Sequence, residues 1–199
     1  MKVSPPLRTL LICLLAPAAP AAAQEKPAGN PPPAAVKPAQ DRPFNAFNKV
    51  AYGFVKATVL RSAEKMPEEN YGFKPAETVR AFGQILGHVA DSQYYFCSVV
   101  RGEKNPALQI EKTKTSKADL IASLKDAFAY CDKAYDGMTE ASGSEVVTLF
   151  NKSDMPKVDV LTANNMHGVE HYGNLIVYLR IKGIVPPSSE PGFMQEPKK

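Results

Sequence analysis

The sequence predicts an all-α protein folded as a four-helix bundle. Two observations favour this fold class. Four segments of about 20 residues carry apolar side chains at helical spacing, and no two segments show the paired alternation of strands. The composition is that of a globular domain, since 44% of the 199 residues are hydrophobic and 22% are charged. We expect the bundle to occupy residues 44–189.

The first 23 residues are typical of a secretory signal peptide. Two basic residues precede the apolar run of residues 10–15, and the alanines at 21–23 form a cleavage site before Gln24. We therefore expect a periplasmic or secreted protein. The apolar run is too short to span a bilayer and no later stretch is long enough, so no membrane insertion is expected after cleavage.

Residues 24–43 have too little apolar surface to offset the entropy lost on ordering. Residues 24–43 contain 6 of the 18 prolines and predict a disordered linker, and residues 190–199 predict a flexible tail. Loss of the signal peptide removes two basic residues, so the formal charge of +4 falls to +2. No aromatic residues interleave with the lysines between residues 112 and 117, so nucleic acid is not an expected partner.

The first two helices follow from apolar spacing and from residues that begin or end helices. Apolar side chains recur on one face from Phe44 to Met66, and Pro67 prevents the helix from continuing. Thr78 is a suitable cap for a second helix, which ends at Gly102.

The rest of the bundle contains a long connection and two more helices. Residues 102–115 have no helical period, and they either close an antiparallel hairpin or cross over the bundle to join parallel neighbours. Ser116 predicts the cap of a third helix, whose apolar stripe runs from Leu120 to Met138. Residues 146–150 are strand-like but have no visible partner, so we interpret them as a loop. The fourth helix is expected from Val158 to Lys182.

Two cysteines remain after cleavage, Cys97 and Cys131, and both lie on or near apolar helix stripes. Export permits a disulfide, but the sequence does not show whether the two Cα atoms approach within bonding range. We therefore favour the interpretation that they are small buried apolar side chains.

The three histidines are the strongest indication of function. His167 and His171 are four residues apart, so both rings project from one side of the fourth helix. His88 lies near the middle of the second helix, which can face the fourth in a bundle. Three neutral imidazoles predict an open divalent metal site, and the ligand type suits Zn, Ni, Fe or Co.

Polar residues accompany the histidines on these helix faces, where a purely structural core would carry apolar ones. We expect these polar residues to surround the metal or to contact an unknown small-molecule substrate, and we assign a catalytic role to none of them. They are Gln84, Ser92, Tyr95, Asn164, Glu170, Asn174 and Tyr178. Glu170 completes an H-x-x-E-H pattern found in one class of metalloprotease. Only 28 residues follow His171, too few for the rest of such a protease.

Several motifs resemble the DinB-like (DinB/YfiT) family. They are MPEENYGFKP at 66–75, FGQILGH at 82–88, HGVEHYGNL at 167–175, and the closing YLR and GIVPPS at 178–188. The resemblance extends over residues 44–189 and implies a bundle with a long crossover. It also implies a divalent metal site at His88, His167 and His171. Some members of the family are thiol-dependent transferases or isomerases.

Two functions are therefore compatible with the sequence. In the first, the protein is an exported metal-dependent hydrolase or thiol-dependent transferase, in which a water or thiol takes an open metal position. In the second, the same ion has a structural role in a non-catalytic binding protein. Association into a homodimer is compatible with either.

Overall fold

The computed structural model of the protein describes residues 46–150 and 152–193. The predicted signal peptide and linker, and residues 194–199 of the predicted tail, lie outside the described residues. In chain order the elements are α1 (Ala46–Lys65), α2 (Phe82–Arg101), α3 (Ile110–Thr113), α4 (Lys117–Asp136), α5 (Glu140–Gly143), β1 (Val146–Leu149), β2 (Ser153–Pro156) and α6 (Lys157–Ile181). Short 3-10 turns occupy Glu68–Asn70 and Pro187–Ser189.

The predicted four-helix bundle is confirmed, and it consists of α1, α2, α4 and α6. Both α1 and α2 pack against α4 and against α6. The shared core contains large, fully buried side chains from all four helices, among them Val55, Val59, Phe82, Leu86, Leu120, Leu124, Phe128, Leu161, Leu175 and Leu179. Within the described ranges, no helix has the length and apolar composition needed to cross a membrane.

The long connection after α2 crosses over the bundle. A Cβ built on Gly83, near the start of α2, would lie 3.1 Å from Leu120 at the start of α4, and Cys97 pairs with Cys131 further along both helices. The two helices therefore run parallel. Of the two topologies compatible with the sequence, the structure has the crossover, and this brings α3 to the side of α2.

Helix α2 begins at Phe82, so the prediction that Thr78 caps it is wrong. The first free N–H groups are satisfied by the preceding loop instead, because Phe82 N donates to Phe73 O and Gly83 N donates to Tyr71 O. The cap prediction for α4 is correct, since Ser116 Oγ accepts a hydrogen bond from the backbone N–H of Asp119.

Residues 146–150 are not a loop, because 146–149 form β1 of an antiparallel hairpin. Val146 pairs with Pro156 and Leu149 pairs with Ser153. The partner strand has the sequence Ser-Asp-Met-Pro, which carries little intrinsic strand preference. The hairpin depends on packing that local sequence does not show, since Leu149 is buried in the core.

Cys97 and Cys131 form a disulfide, so the interpretation of both as free buried thiols is wrong. Their Cα atoms lie 5.3 Å apart, within the usual range for a disulfide. Both residues are fully buried. Because α2 and α4 are parallel, the bond ties the two helices side by side.

The start of the predicted flexible tail is packed. Glu190 forms salt bridges with Arg61 and Lys65 of α1. Phe193 lies edge-on to Phe54, with ring centroids 6.0 Å apart. Residues 190–193 therefore belong to the folded unit, because they contact α1.

Gly168 of α6 allows this helix to approach α1 closely. A Cβ at this position would lie 2.5 Å from Cγ1 of Val55, a stiff β-branched side chain that is 1% exposed. We expect Gly168→Ala to lower the free energy of unfolding by about 1–3 kcal/mol through overpacking. Chemical denaturation monitored by circular dichroism measures the effect.

Gly173 supplies the matched control, because it lies on the same helix and a Cβ there meets nothing within 4 Å. Gly173→Ala is expected to be neutral or to stabilise by up to about 1 kcal/mol, since alanine is the better helix former. Because Val55→Ala removes the methyl groups that the new Cβ would contact, the combined variant should be less destabilised than the sum of the two single variants. Equal effects of the two glycine variants would contradict the overpacking account.

Candidate metal centre

The three histidines converge on one point between α2 and α6. His88 Nε2 lies 3.1 Å from His167 Nε2, which in turn lies 3.0 Å from His171 Nε2. One ring nitrogen from each residue lies within 4.8 Å of the other two. The convergence follows from two features of the fold: one helical turn separates the pair on α6, and α2 runs antiparallel beside it.

The imidazole rings of His167 and His171 are held in the neutral form, which is the form that binds a metal. Burial, together with the neighbouring His88, lowers the pKa of His167 to about 4. Burial likewise lowers the pKa of His171 to about 3, with His167 and His88 as further causes. Both imidazoles are therefore neutral at pH 7 and keep a lone pair on nitrogen, as metal ligation requires.

The outer nitrogen of His88 contacts a carboxylate. Nδ1 of His88 lies 2.9 Å from Glu111 Oε2, while Glu111 Oε1 accepts a hydrogen bond from Arg80 Nε at 2.8 Å. Burial tends to raise the pKa of Glu111, but the hydrogen bonds from Arg80 and His88 hold it below the usual range. An ionised carboxylate only accepts, so Nδ1 of His88 is the donor in this hydrogen bond, and the neutral form of that tautomer has its lone pair on Nε2.

Glu111 belongs to the short helix α3, which is attached to α2 at two places. The Asp91 carboxylate of α2 accepts the backbone N–H groups of Ile110 at 2.9 Å and Glu111 at 3.0 Å. Gly87 permits close approach, because a Cβ there would lie 2.6 Å from the Glu111 Cα. The backbone of α3 thus rests directly on α2 beside His88.

The donor set fits a divalent metal ion. Metal–nitrogen bonds of about 2.1 Å at angles between 90° and 109° place ligand nitrogens roughly 3.0–3.4 Å apart. The two Nε2 separations of 3.0 and 3.1 Å lie in this range. His88, His167 and His171 would hold the ion and leave coordination positions for other ligands.

Two cavities open beside the histidines. The larger, of about 700 Å³, is lined by His171 together with Lys74, Arg80 and Asn174. The smaller, of about 380 Å³, is lined by His88 and His167 together with an aromatic group formed by Tyr95, Phe96 and Phe150. The histidine cluster therefore borders one cavity that contains basic side chains and one that is walled by aromatic rings.

Five of the seven predicted polar residues line these cavities. Gln84, Asn174 and Tyr178 line the larger cavity, and Ser92 and Tyr95 line the smaller one. Asn174 Nδ2 lies 3.5 Å from His171 Nδ1. The structure therefore places these five residues beside the histidines, and their roles toward a metal or substrate stay predictions.

Asn164 and Glu170 are placed differently. Asn164 is buried and exchanges two hydrogen bonds with Gln93, both of 3.0 Å, and a third with Tyr135. This polar pair is satisfied within the core, so its burial has a structural explanation. Glu170 is exposed on α6, and its charge raises the pKa of His167 against the larger effect of burial.

Three residues at the site were not predicted from the sequence. Arg80 lies just before α2, Glu111 lies in the long connection without helical periodicity, and only the packing of α3 against α2 brings them together. Phe150 follows β1 and stacks on Tyr95 with ring centroids 4.9 Å apart. Its backbone N–H donates to the Tyr95 hydroxyl at 2.7 Å. The His88 side chain needs a partner for Nδ1, but no local signal identifies that partner.

Comparison with known sequences connects the fold to one family. Residues 52–175 match the family model of the DinB superfamily. The uncharacterized protein YjoA of Bacillus subtilis (strain 168) is 27% identical over 124 residues, which cover 61% of this chain and 79% of YjoA.

Solved structures show the same fold. A DinB-like protein from Bacillus cereus ATCC 10987 superposes with a TM-score of 0.62 at 14% identity, over 70% of this chain and 93% of that chain. YjoA superposes with a TM-score of 0.57 at 24% identity, over 69% of this chain and 92% of that chain. A mycothiol-dependent maleylpyruvate isomerase superposes with a TM-score of 0.57 at 16% identity, over 66% and 60% of the two chains.

Proposed function

The chain belongs to the DinB superfamily, and on this basis we propose that it is a metal-dependent enzyme acting on a small molecule. The convergence of His88, His167 and His171 is the observation that carries the proposal. A divalent ion held there would act as a Lewis acid and activate a water or a thiol. The protein's own contribution would be three histidines held close together and two cavities beside them with space for reactants.

The larger cavity favours a substrate that carries a negative charge. The cavity lining contains two basic side chains, Lys74 and Arg80, and one acidic side chain, Glu77, and Arg80 is also paired with Glu111. Asn174 adds an amide that can donate to an oxygen. A volume of about 700 Å³ accommodates a small molecule. We infer that an anionic group binds on the Lys74 and Arg80 side, with the reacting atom toward His171.

Two reaction classes fit this site, namely hydrolysis and thiol-dependent transfer. Hydrolysis needs one organic reactant and a water, whereas transfer needs two organic reactants. One structural neighbour is a mycothiol-dependent isomerase, so low-molecular-weight thiols belong among the reactants to be tested. The second, aromatic cavity beside His88 and His167 offers space for such a second reactant.

Export of the protein is part of the proposal. The N-terminal pattern predicts a cleaved signal, and a fully buried disulfide is the kind of bond that forms and persists in an oxidising compartment. The mature protein, isolated from the periplasm or the medium, should begin at Gln24. N-terminal sequencing tests this, and an uncleaved Met1 in that fraction would overturn it.

A structural role for the ion is the second candidate. His88 lies on α2 while His167 and His171 lie on α6, so a shared ion would tie two helices of the bundle together. In that case the binding energy would register as folding stability. The enzymatic role and the structural role use the same metal site, but only the enzymatic role predicts turnover of a substrate.

The test is elemental analysis of the protein purified without a histidine tag, combined with an activity screen. We expect about one divalent ion per chain, as a site with three protein ligands implies. Removal of the ion by a chelator should lower the melting temperature and abolish turnover of anionic substrates with water or thiols. Protein without stoichiometric metal would refute both candidates, and bound metal without turnover would favour the structural role.

A further inference from the structure

We propose that Glu111 is a positioning residue for the metal centre, which it serves by orienting the His88 ring and fixing its tautomer. The inference rests on the proposed metal site. Glu111 does not point at the convergence of the Nε2 atoms. It contacts the opposite side of the His88 ring, where Nδ1 lies 2.9 Å from Glu111 Oε2.

The contact has the chemistry that an imidazole ligand needs. A ring that binds a metal through Nε2 carries its proton on Nδ1, and that proton requires an acceptor. The carboxylate provides a charged acceptor, which makes the hydrogen bond stronger than one to a neutral group. His88 can rotate about its side-chain bonds, so a fixed acceptor also restricts the direction of Nε2.

Glu111 is itself held from three sides. Arg80 Nε donates to its second carboxylate oxygen at 2.8 Å. Asp91 accepts its backbone N–H at 3.0 Å, which anchors the start of α3 on α2. Gly87 removes the Cβ that would otherwise push the α3 backbone away. This arrangement exceeds what a surface ion pair needs, because two residues of α2 hold the α3 backbone next to His88.

An ordinary stabilising ion pair is the competing explanation. The Arg80 side chain is 45% exposed, and an exposed pair contributes little to stability. If that were the role of Glu111, its removal would leave metal binding unchanged. The two explanations therefore predict different effects of removing the Glu111 carboxylate. A positioning role predicts changes in metal affinity and in the ligand field of the ion, whereas an ordinary ion pair predicts neither change.

The experiment compares Glu111→Ala, Glu111→Gln and the control Lys112→Ala in the full mature chain. Lys112 is exposed on the same turn of α3, so its variant controls for changes to that helix. Apoprotein is titrated with Zn²⁺ for affinity and with Co²⁺ for its visible absorption spectrum. Melting curves in chelator check that each variant folds.

We expect Glu111→Ala to weaken metal binding about 10–100-fold and to alter the Co²⁺ spectrum. Glu111→Gln keeps an acceptor oxygen without the charge and should recover part of the affinity, and Lys112→Ala should match the parent. If the parent binds metal and Glu111→Ala binds it equally with the same spectrum, the inference is wrong while the proposed function survives. A parent that binds no metal would overturn both.

Discussion

Replacing His167 and His171 with alanine is expected to reduce the bound metal from about one ion per chain to background. In this double variant each substitution removes one nitrogen from the Nε2 cluster, so His88 would remain as the single histidine ligand. The loss of affinity should exceed the roughly 10–100-fold expected for an outer partner such as Glu111, because ligands themselves are removed. Elemental analysis and Zn²⁺ titration of the apoprotein measure it.

The matched control is the double variant Met166→Ala, Val169→Ala. Both side chains are exposed on α6, next to the histidines in sequence, and neither lines a cavity described at the site. This control should retain the metal and the activity of the parent. The proposal would fail if the histidine variant kept stoichiometric metal, or if the control lost it to the same extent.

Removal of the Cys97–Cys131 disulfide is expected to lower the free energy of unfolding by roughly 3–4 kcal/mol. The bond closes a loop with a sequence separation of 34, and the estimate is the entropy that such a loop restricts in the unfolded chain. For a chain of this size the loss corresponds to a fall of about 10 °C in melting temperature. Chemical denaturation of Cys97→Ala, Cys131→Ala against the parent gives the value.

A reducing agent distinguishes the stability that the disulfide bond contributes from the stability that the packing of the two cysteine side chains contributes. With the disulfide reduced, the free energy of unfolding of the parent should fall toward that of the double variant. The double variant should be unaffected by the reducing agent. Mass spectrometry of the non-reduced parent should show two hydrogens fewer than the reduced form. Two free thiols in protein from an oxidising compartment would contradict the bond and remove one of the two arguments for export.

The sequence was informative wherever a signal was local. Helical spacing of apolar residues identified all four bundle helices, and Ser116 correctly marked the start of α4. The i, i+4 spacing of His167 and His171 placed both rings on one side of a helix before the fold was known. These predictions succeeded because each depends on residues within one or two helical turns.

The errors came from contacts between distant segments. Thr78 does not cap α2, because the carbonyl groups of Phe73 and Tyr71 in the preceding loop accept from its first N–H groups. The strand Ser153–Pro156 has no strand-like composition, and it forms because β1 pairs with it. The sequence also does not identify Gln93 of α2 as the buried hydrogen-bond partner of Asn164.

The amino-acid sequence alone established an all-α bundle with three histidines on faces that can meet. It also placed both cysteines within helices. The tertiary structure decided that the connection after α2 crosses over, which makes α2 and α4 parallel and brings the cysteines together. The same crossover lays α3 on Gly87 and presents Glu111 to His88. Spacing along one helix is a local property, whereas the partner of a side chain depends on which helices become neighbours.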